Sequence, residues 1–472
     1  MVLARFLPGR ARRALEVLAC LIGVGFGVAL LLARHSTEEW RTTALDPATA
    51  TVAGIATAGA WLATISIGRD ERWRTGALVG AGATGLALFS AAQWTVPALL
   101  FWVTTSLAMG ILAFRARQPG SVWLGIVASD VCLAAALVTH VLDTDGWRLP
   151  SPAPDRAFWL VLAAVVIRAG VVPRYGIWRM LGTSAAPGLP LLVGGAMVLA
   201  AGLGGRTEPW AAAGLALVAL AQALWGLFAK RLAVELFAGW PAALSLAFVF
   251  AAPESAAVAG ATAALGVTVV VLWPLSSGRA QVERGFALSF APLTAGFGAL
   301  ILSTTRAFGK ATTNLQIAEA IPWVVVASLL PVTLVAGALL AARIGREGDA
   351  RTWDPSAVLS TWAVVAASIG IGVYPGMLEL PDDVLGSSRG ALLLLLGALA
   401  AGGAAGTVVW MRLHEGGVRP LPGAPEPPLT IDHPARASLL GRALAGATVA
   451  LAVATAGTVG WVTYEGLRQG FL

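Results

Sequence analysis

Charge, cysteine and histidine are all scarce in this chain. Only 12% of its 472 residues are charged, about half of what a soluble domain of this size carries. Two cysteines, Cys20 and Cys132, both fall inside apolar runs, which leaves no disulfide framework. The four histidines (His35, His140, His414 and His433) fall at or beyond the ends of the apolar runs. A haem or metal centre in a helical bundle needs His or Cys at helix-facing spacing, so neither metal nor cofactor is expected. There is no GxxxxGK[ST] loop and no strand–Gly-rich turn–helix unit, which leaves no nucleotide-binding site. Strict apolar/polar alternation over ten-residue segments is also missing, which argues against a β-barrel.

What is present is apolar. Hydrophobic residues make up 57% of the chain, and mean hydropathy is +0.78. They fall in runs of about 18 to 24, each enough to cross a bilayer core of about 30 Å. The expected fold is all-α, a polytopic transmembrane helical bundle of about 14–15 spans. The spans read as 14–33, 50–68, 75–92, 95–114, 120–139, 157–173, 187–205, 209–228, 236–252, 256–276, 286–303, 320–342, 356–375, 390–411 and 440–463. The first follows Arg5, Arg10, Arg12 and Arg13 without a clear cleavage site, and is read as a retained helix.

The net charge of +7 sits in short loops, where it sets topology rather than binding nucleic acid. Alternate loops carry Arg69/Arg72/Arg74, Arg115/Arg117, Arg174/Arg179, Lys230/Arg231, Arg279/Arg284, Arg343/Arg346/Arg351 and Arg412/Arg419/Arg436. The loops between them carry Asp143/Asp145/Asp155, Glu208, Glu254 and Glu379/Asp382/Asp383. The positive-inside rule then expects a multi-pass protein of a bacterial plasma membrane with its N-terminus cytoplasmic. Arg306 and Lys310, on the outer side, depart from that pattern. Trp94, Trp147, Trp210, Trp353 and Trp461 lie near span ends, as an interfacial belt would. The segment 413–437, with PLPGAPEPPL, reads as an extended connector. The expected organisation is an N-terminal helix and outer loop over 1–49, a core over 50–345 and C-terminal helices over 346–472.

Charge inside lipid is costly and marks function by default. Asp130 lies near the middle of span 120–139. Arg168 lies in span 157–173, about one and a half turns from its cytoplasmic end. Snorkelling to the interface is the bland account of Arg168, and a buried carbonyl-bonded acid is that of Asp130. The sharper expectation is that the two face each other as an ion pair within a proton path. Helix breaks follow the same logic, because irregular backbone at membrane depth must be buried or line a cavity. Pro173, Pro187, Pro292 and Gly296 mark such breaks, and paired breaks in cognate halves point to a transport pathway.

Three stretches appear in an order that resembles a known family: PALLFWVTTSL (97–107), Arg168 with PRYGIWRML (173–181) and AAPGLP (185–190), and SFAPLTAGFGAL (289–300). A weaker fourth is ALWGLFAKRLAVE (223–235). Together they resemble the antiporter-like membrane subunits of respiratory complex I and of the multi-subunit cation/proton antiporters, over roughly residues 50–345. The resemblance implies two pseudo-repeats, about 75–230 and 236–345, and proton or cation translocation inside a larger assembly. The proton-path candidates are Asp130, from its charge inside an apolar run, and Arg168, Tyr175 and Lys230, which lie in the stretches that carry the resemblance. It also implies partners: other membrane subunits, a soluble catalytic protein, and lipid.

The departures from the family matter too. Its pumping glutamate falls at Val103, which cannot titrate. Its lysine is Arg168, which holds its proton. Its turn histidine is Tyr175, the titratable residue of its next helix is replaced by the stretch Val193–Gly195, and Gly298 or Ala299 stands where it has a later lysine. Related expectations are a degenerate scaffold subunit, the membrane half of an inorganic-carbon uptake complex, and a purely structural anchor. The chain shows no catalytic centre of its own, though it could serve a proton-translocating oxidoreductase as a subunit. A lipid-linked transferase would need outer-loop acids, of which Asp143, Asp145 and Asp155 are the available set.

Overall fold

The computed structural model describes, with short gaps, residues 9–33, 47–272 and 299–347. Four of the expected spans (286–303 in large part, 356–375, 390–411 and 440–463) lie outside those residues, as does the 413–437 connector. The other eleven each correspond to a helix. These are α1 Gly9–Ala33, α2 Pro47–Ile65, α3 Arg69–Ala91, α4 Thr95–Arg115, α5 Pro119–Thr144, α6 Asp155–Arg168, α7 Leu189–Gly202, α8 Pro209–Phe228, α9 Ala233–Ala251, α10 Ala256–Leu272 and α11 Ile317–Glu347. No strand occurs among the described residues, so the fold is an all-α bundle. Four segments are long and apolar enough to cross a membrane: Ala48–Ile65, Thr95–Arg115, Val122–Thr144 and Pro209–Phe228. Shorter apolar stretches run through α1, α7, α9, α10 and α11.

The bundle has a buried centre and an apolar rim. From Leu189 to Ala200, α7 is buried on every side, and α10 is buried at every residue but Ala257. A helix apolar all round belongs in such a core. Around them pack α2, α3, α4, α6 and α9. Lipid provides no hydrophobic drive between helices, so close approach at small residues must supply the packing. Gly194 of α7 faces Ala56 of α2, where an added Cβ would sit 2.3 Å from the alanine methyl. Gly59 of α2 meets Thr268 of α10 equally closely, with a Cβ 2.2 Å from the threonine hydroxyl. On the rim, Leu107, Ile111, Phe114, Val131, Val138, Leu142 and Leu217 are exposed, as lipid-facing residues are. Trp94 and Trp210 are exposed near helix ends and fit the expected belt. Trp102, Trp178 and Trp240 do not, since all three are core residues.

Contacts between elements agree with the alternation of sides. Glu71, in the first turn of α3, pairs with Arg115 at the end of α4 (3.0 Å) and with Arg74 (3.7 Å). On the other side, Trp94 bridges backbone to Arg148 and takes the Arg148 guanidinium over its ring at 5.7 Å. There too Arg206 binds Asp155 and, at 3.2 Å, Glu208. Arg306 reaches Thr207 at 3.4 Å, so it shares the side of residues 155, 206 and 208.

Two readings from the sequence need correction. The span expected over 157–173 ends as a helix at Arg168, so Arg168 is its last helical residue and not an interior one. Its snorkelling account also fails, because Arg168 is 0% exposed. His140 is not beyond a helix end, because α5 continues to Thr144. It is buried, with Nε2 2.9 Å from the Arg148 carbonyl.

Candidate functional site: a buried ion pair at a helix break

The break after Arg168 is built by the backbone. Gly170 has φ 65°, a left-handed conformation that glycine adopts without penalty. Its N–H donates to the Ile167 carbonyl (3.1 Å), and that of Val171 donates to the Val166 carbonyl (3.1 Å). This is the Schellman arrangement, which closes a helix and satisfies its last carbonyls. With 14 residues, α6 is about 21 Å long at 1.5 Å per residue. It therefore stops short of crossing a hydrocarbon core of about 30 Å.

Beyond the break, the described residues Ile177–Gly188 are irregular and in large part buried. Short 3-10 turns, Ile177–Met180 and Ala186–Gly188, lead into α7. Ile177, Trp178, Met180 and the run Ala185–Gly188 are buried, Pro187 among them. Unpaired carbonyls in such a place are expensive, and side chains from elsewhere reach them. Trp178 Nε1 donates to the Gly170 carbonyl at 2.6 Å. Gln222 of α8 donates through Nε2 to the Val171 carbonyl. Gly239 of α9 lies against both donors, where a Cβ would come within 3.2 Å of Trp178 Nε1. The broken end of α6 is thus held by α8 and α9.

At that end sits the ion pair. Arg168 Nη1 donates to Asp130 Oδ1 at 3.2 Å. The side chains are 0% and 1% exposed. Asp130 Oδ1 also accepts from Trp102 Nε1 at 2.7 Å and from Ser106 Oγ at 2.8 Å. Arg168 Nη1 donates to Ser106 Oγ at 2.7 Å, and its guanidinium carbon lies 4.3 Å from the centroid of the Trp102 ring. Three helices contribute: α4 supplies Trp102 and Ser106, α5 supplies Asp130, and α6 supplies Arg168. Trp102 and Ser106 are four residues apart and so share one face of α4. Ser129 ties α5 to α6 through the Ala164 carbonyl at 2.9 Å.

The electrostatics are coherent. The C-terminal end of a helix dipole favours a cation, and Arg168 occupies that end of α6. Desolvating two charges is costly, and only good geometry with further hydrogen bonds offsets it. Here one carboxylate oxygen accepts three donors, and an indole face adds a cation–π contact. Asp130 Oδ2, Arg168 Nε and Arg168 Nη2 are buried without a hydrogen-bond partner among the described residues. No cluster of three metal-ligating side chains occurs among them either.

Asp130 and Arg168 are the two sequence candidates that the structure brings together. Tyr175, Lys230, Pro173, Pro292 and Gly296 lie outside the described residues. Trp102, Ser106, Trp178 and Gln222 were not anticipated. A signal existed for three of them: Trp102 and Ser106 stand at helical spacing inside an apolar run, and Gln222 is a lone amide in another. Val103 itself is buried beside Trp102.

In sequence, neither a protein-family model nor a curated protein matches the chain. In structure, it is similar to a chain of the Mrp complex from Dietzia sp. DQ12-45-1b, with a TM-score of 0.57 at 14% identity over 97% of this chain. It spans 60% of that chain's length. A chain of the archaeal membrane-bound sulfane sulfur reductase, a respiratory membrane complex, matches with a TM-score of 0.54 at 16% identity, covering 96% of this chain and 94% of that one. A chain of respiratory complex I from Thermus thermophilus with bound aureothin matches with a TM-score of 0.52 at 16% identity, covering 77% and 96%. The likeness in structure shows the fold: this is a multi-pass helical membrane protein that shares its fold with chains of these three membrane complexes.

Proposed function

We propose that this protein is a membrane subunit of a complex-I-like or cation/proton-antiporter-like assembly in a bacterial plasma membrane. Within it, Asp130 and Arg168 form the charged element of a proton or cation path. One observation carries the reading: a fully buried carboxylate–guanidinium pair stands at the broken end of a helix. Ionisable groups in such places are rare and serve transport. The fold shared with chains of three multi-subunit membrane complexes supports the assembly.

Compared with the family's pattern, the acid has changed helix. Where a glutamate is expected on α4, Val103 stands, and the carboxylate comes from Asp130 on α5 instead. The pair is thereby kept, with an arginine at the place of the family's lysine and the acid on another helix. Asp130 is the member that can exchange a proton, and Arg168 is a fixed cation.

A structural-subunit reading is favoured by the same Val103 and by the three donors that hold Asp130 in place. The two readings separate in an assembled complex purified in mild detergent and placed in liposomes. Asp130→Asn and Arg168→Ala each abolish coupled flux on the transport reading, whereas normal flux in both variants leaves only the scaffold. Co-purifying membrane and soluble proteins identify the partners, and recovery of the chain alone contradicts the assembly.

A further inference from the structure

Ser106 has one hydroxyl hydrogen and two acceptors within reach. Its Oγ lies 2.8 Å from Asp130 Oδ1 and 3.0 Å from the Trp102 carbonyl. Arg168 Nη1 donates into the same oxygen at 2.7 Å. A hydroxyl is one donor and two acceptor sites, so the arginine takes one acceptor site and the hydrogen must choose between carboxylate and carbonyl. Ser106 is buried at 2% exposure, so bulk water does not offer a third choice. Ser129, the neighbouring buried serine on α5, is different: its hydroxyl has the Ala164 carbonyl as its one acceptor among the described residues.

We propose that Ser106 is a positioning residue for Asp130, with a hydrogen that follows the charge of the carboxylate. This rests on the reading that Asp130 takes and releases a proton. While Asp130 is ionised, Ser106 donates to Oδ1. When a proton arrives on Oδ1, that oxygen becomes a donor and points its hydrogen at Ser106 Oγ. The Ser106 hydrogen then turns to the Trp102 carbonyl. One proton enters and resides on Asp130, no bond to serine oxygen breaks, and Arg168 keeps all of its protons. The i, i+4 carbonyl of α4 is what makes the second setting available, because a serine in a helix can bond the carbonyl one turn back. Ser106 therefore keeps its own hydroxyl paired in both charge states of Asp130, where an unpaired buried donor would be costly.

The test compares Ser106→Ala, Ser106→Thr and Ser129→Ala in the reconstituted complex. Two readouts are taken: coupled flux, and the infrared band of the Asp130 carboxylate, assigned by its loss in Asp130→Asn. Ser106→Ala is expected to shift that band and to lower flux about tenfold or more, as loss of one hydrogen bond to a charged group does. Ser106→Thr keeps the hydroxyl and restores both. Ser129→Ala changes neither. An unshifted band in Ser106→Ala overturns the proposal, as does a shift that threonine fails to restore. Should Asp130→Asn leave flux intact while Ser106→Ala still shifts the band, the transport reading falls and the positioning role of Ser106 stands.

Discussion

Arg168 illustrates how a costly residue is made tolerable. A guanidinium in hydrocarbon needs a counter-ion, hydrogen bonds and a favourable field. It has Asp130 at 3.2 Å, Ser106 at 2.7 Å, the Trp102 face at 4.3 Å and the carbonyl end of α6. Breaking such a pair from one side strands a buried charge, at about 3–5 kcal/mol. Arg168→Met is therefore expected to lower thermal stability in detergent markedly, and Asp130→Leu likewise. The double variant Asp130→Leu/Arg168→Met is expected to recover most of that loss, since an apolar replacement of both partners is often neutral. A double variant as unstable as the sum of the singles would contradict this account of the pair. The charges themselves were legible in the sequence, because Asp and Arg stand out in apolar runs. Their partners Trp102 and Ser106 left only a weak signal, a helical spacing inside an apolar run, because an indole and a hydroxyl are common in membrane helices and acquire meaning only across a helix interface.

At the scale of elements, the end of α6 is the decisive feature. Pro173 drew attention in the sequence as a helix breaker, yet among the described residues the helix closes earlier, on Gly170. Hydropathy does not see that difference, since Ala169, Gly170, Val171 and Val172 are as apolar as the helix before them. Only φ at Gly170 and the two closing hydrogen bonds reveal it. Gly170→Ala must force an unfavourable left-handed residue, at about 1–2 kcal/mol. It also pushes a Cβ to 2.7 Å from Trp178 Nε1, so a fall in melting temperature beyond that of Gly214→Ala, where nothing lies within 4 Å, is expected. Gln222→Leu leaves the Val171 carbonyl unpaired, at about 1–3 kcal/mol. Hydrogen exchange at residues 169–171 should rise in that variant, and unchanged exchange would remove Gln222 from the role of cap.

For the whole molecule, the sequence specified more than its low identity to known structures suggests. Eleven expected spans correspond to eleven helices, because each run is apolar along its length and is bounded by charge or proline. Contacts between loops agree with the grouping by charge: Glu71 meets Arg115 within one set of alternate loops, and Arg206 meets Asp155 within the other. What could not be read was the layering, with α7 and α10 at the centre and α4, α5 and α8 on the rim. Mean hydropathy does not distinguish protein-facing from lipid-facing surface, since both are apolar; small residues such as Gly194 and Gly59 mark the buried contacts only once their partners are known. Cysteine labelling from outside intact cells is expected to modify position 148 and to spare position 115, and the reverse pattern would invert the topology.

At the centre of the proposed function stands Asp130, whose carboxylate meets Arg168 across the α5–α6 interface. Proton flux by the reconstituted complex carrying Asp130→Asn tests that function most directly, because that change keeps the shape of the side chain and removes its charge. Loss of coupled flux in a complex that still assembles is the predicted result. Undiminished flux would contradict it, and would leave the Asp130–Arg168 pair as a fastening between three helices.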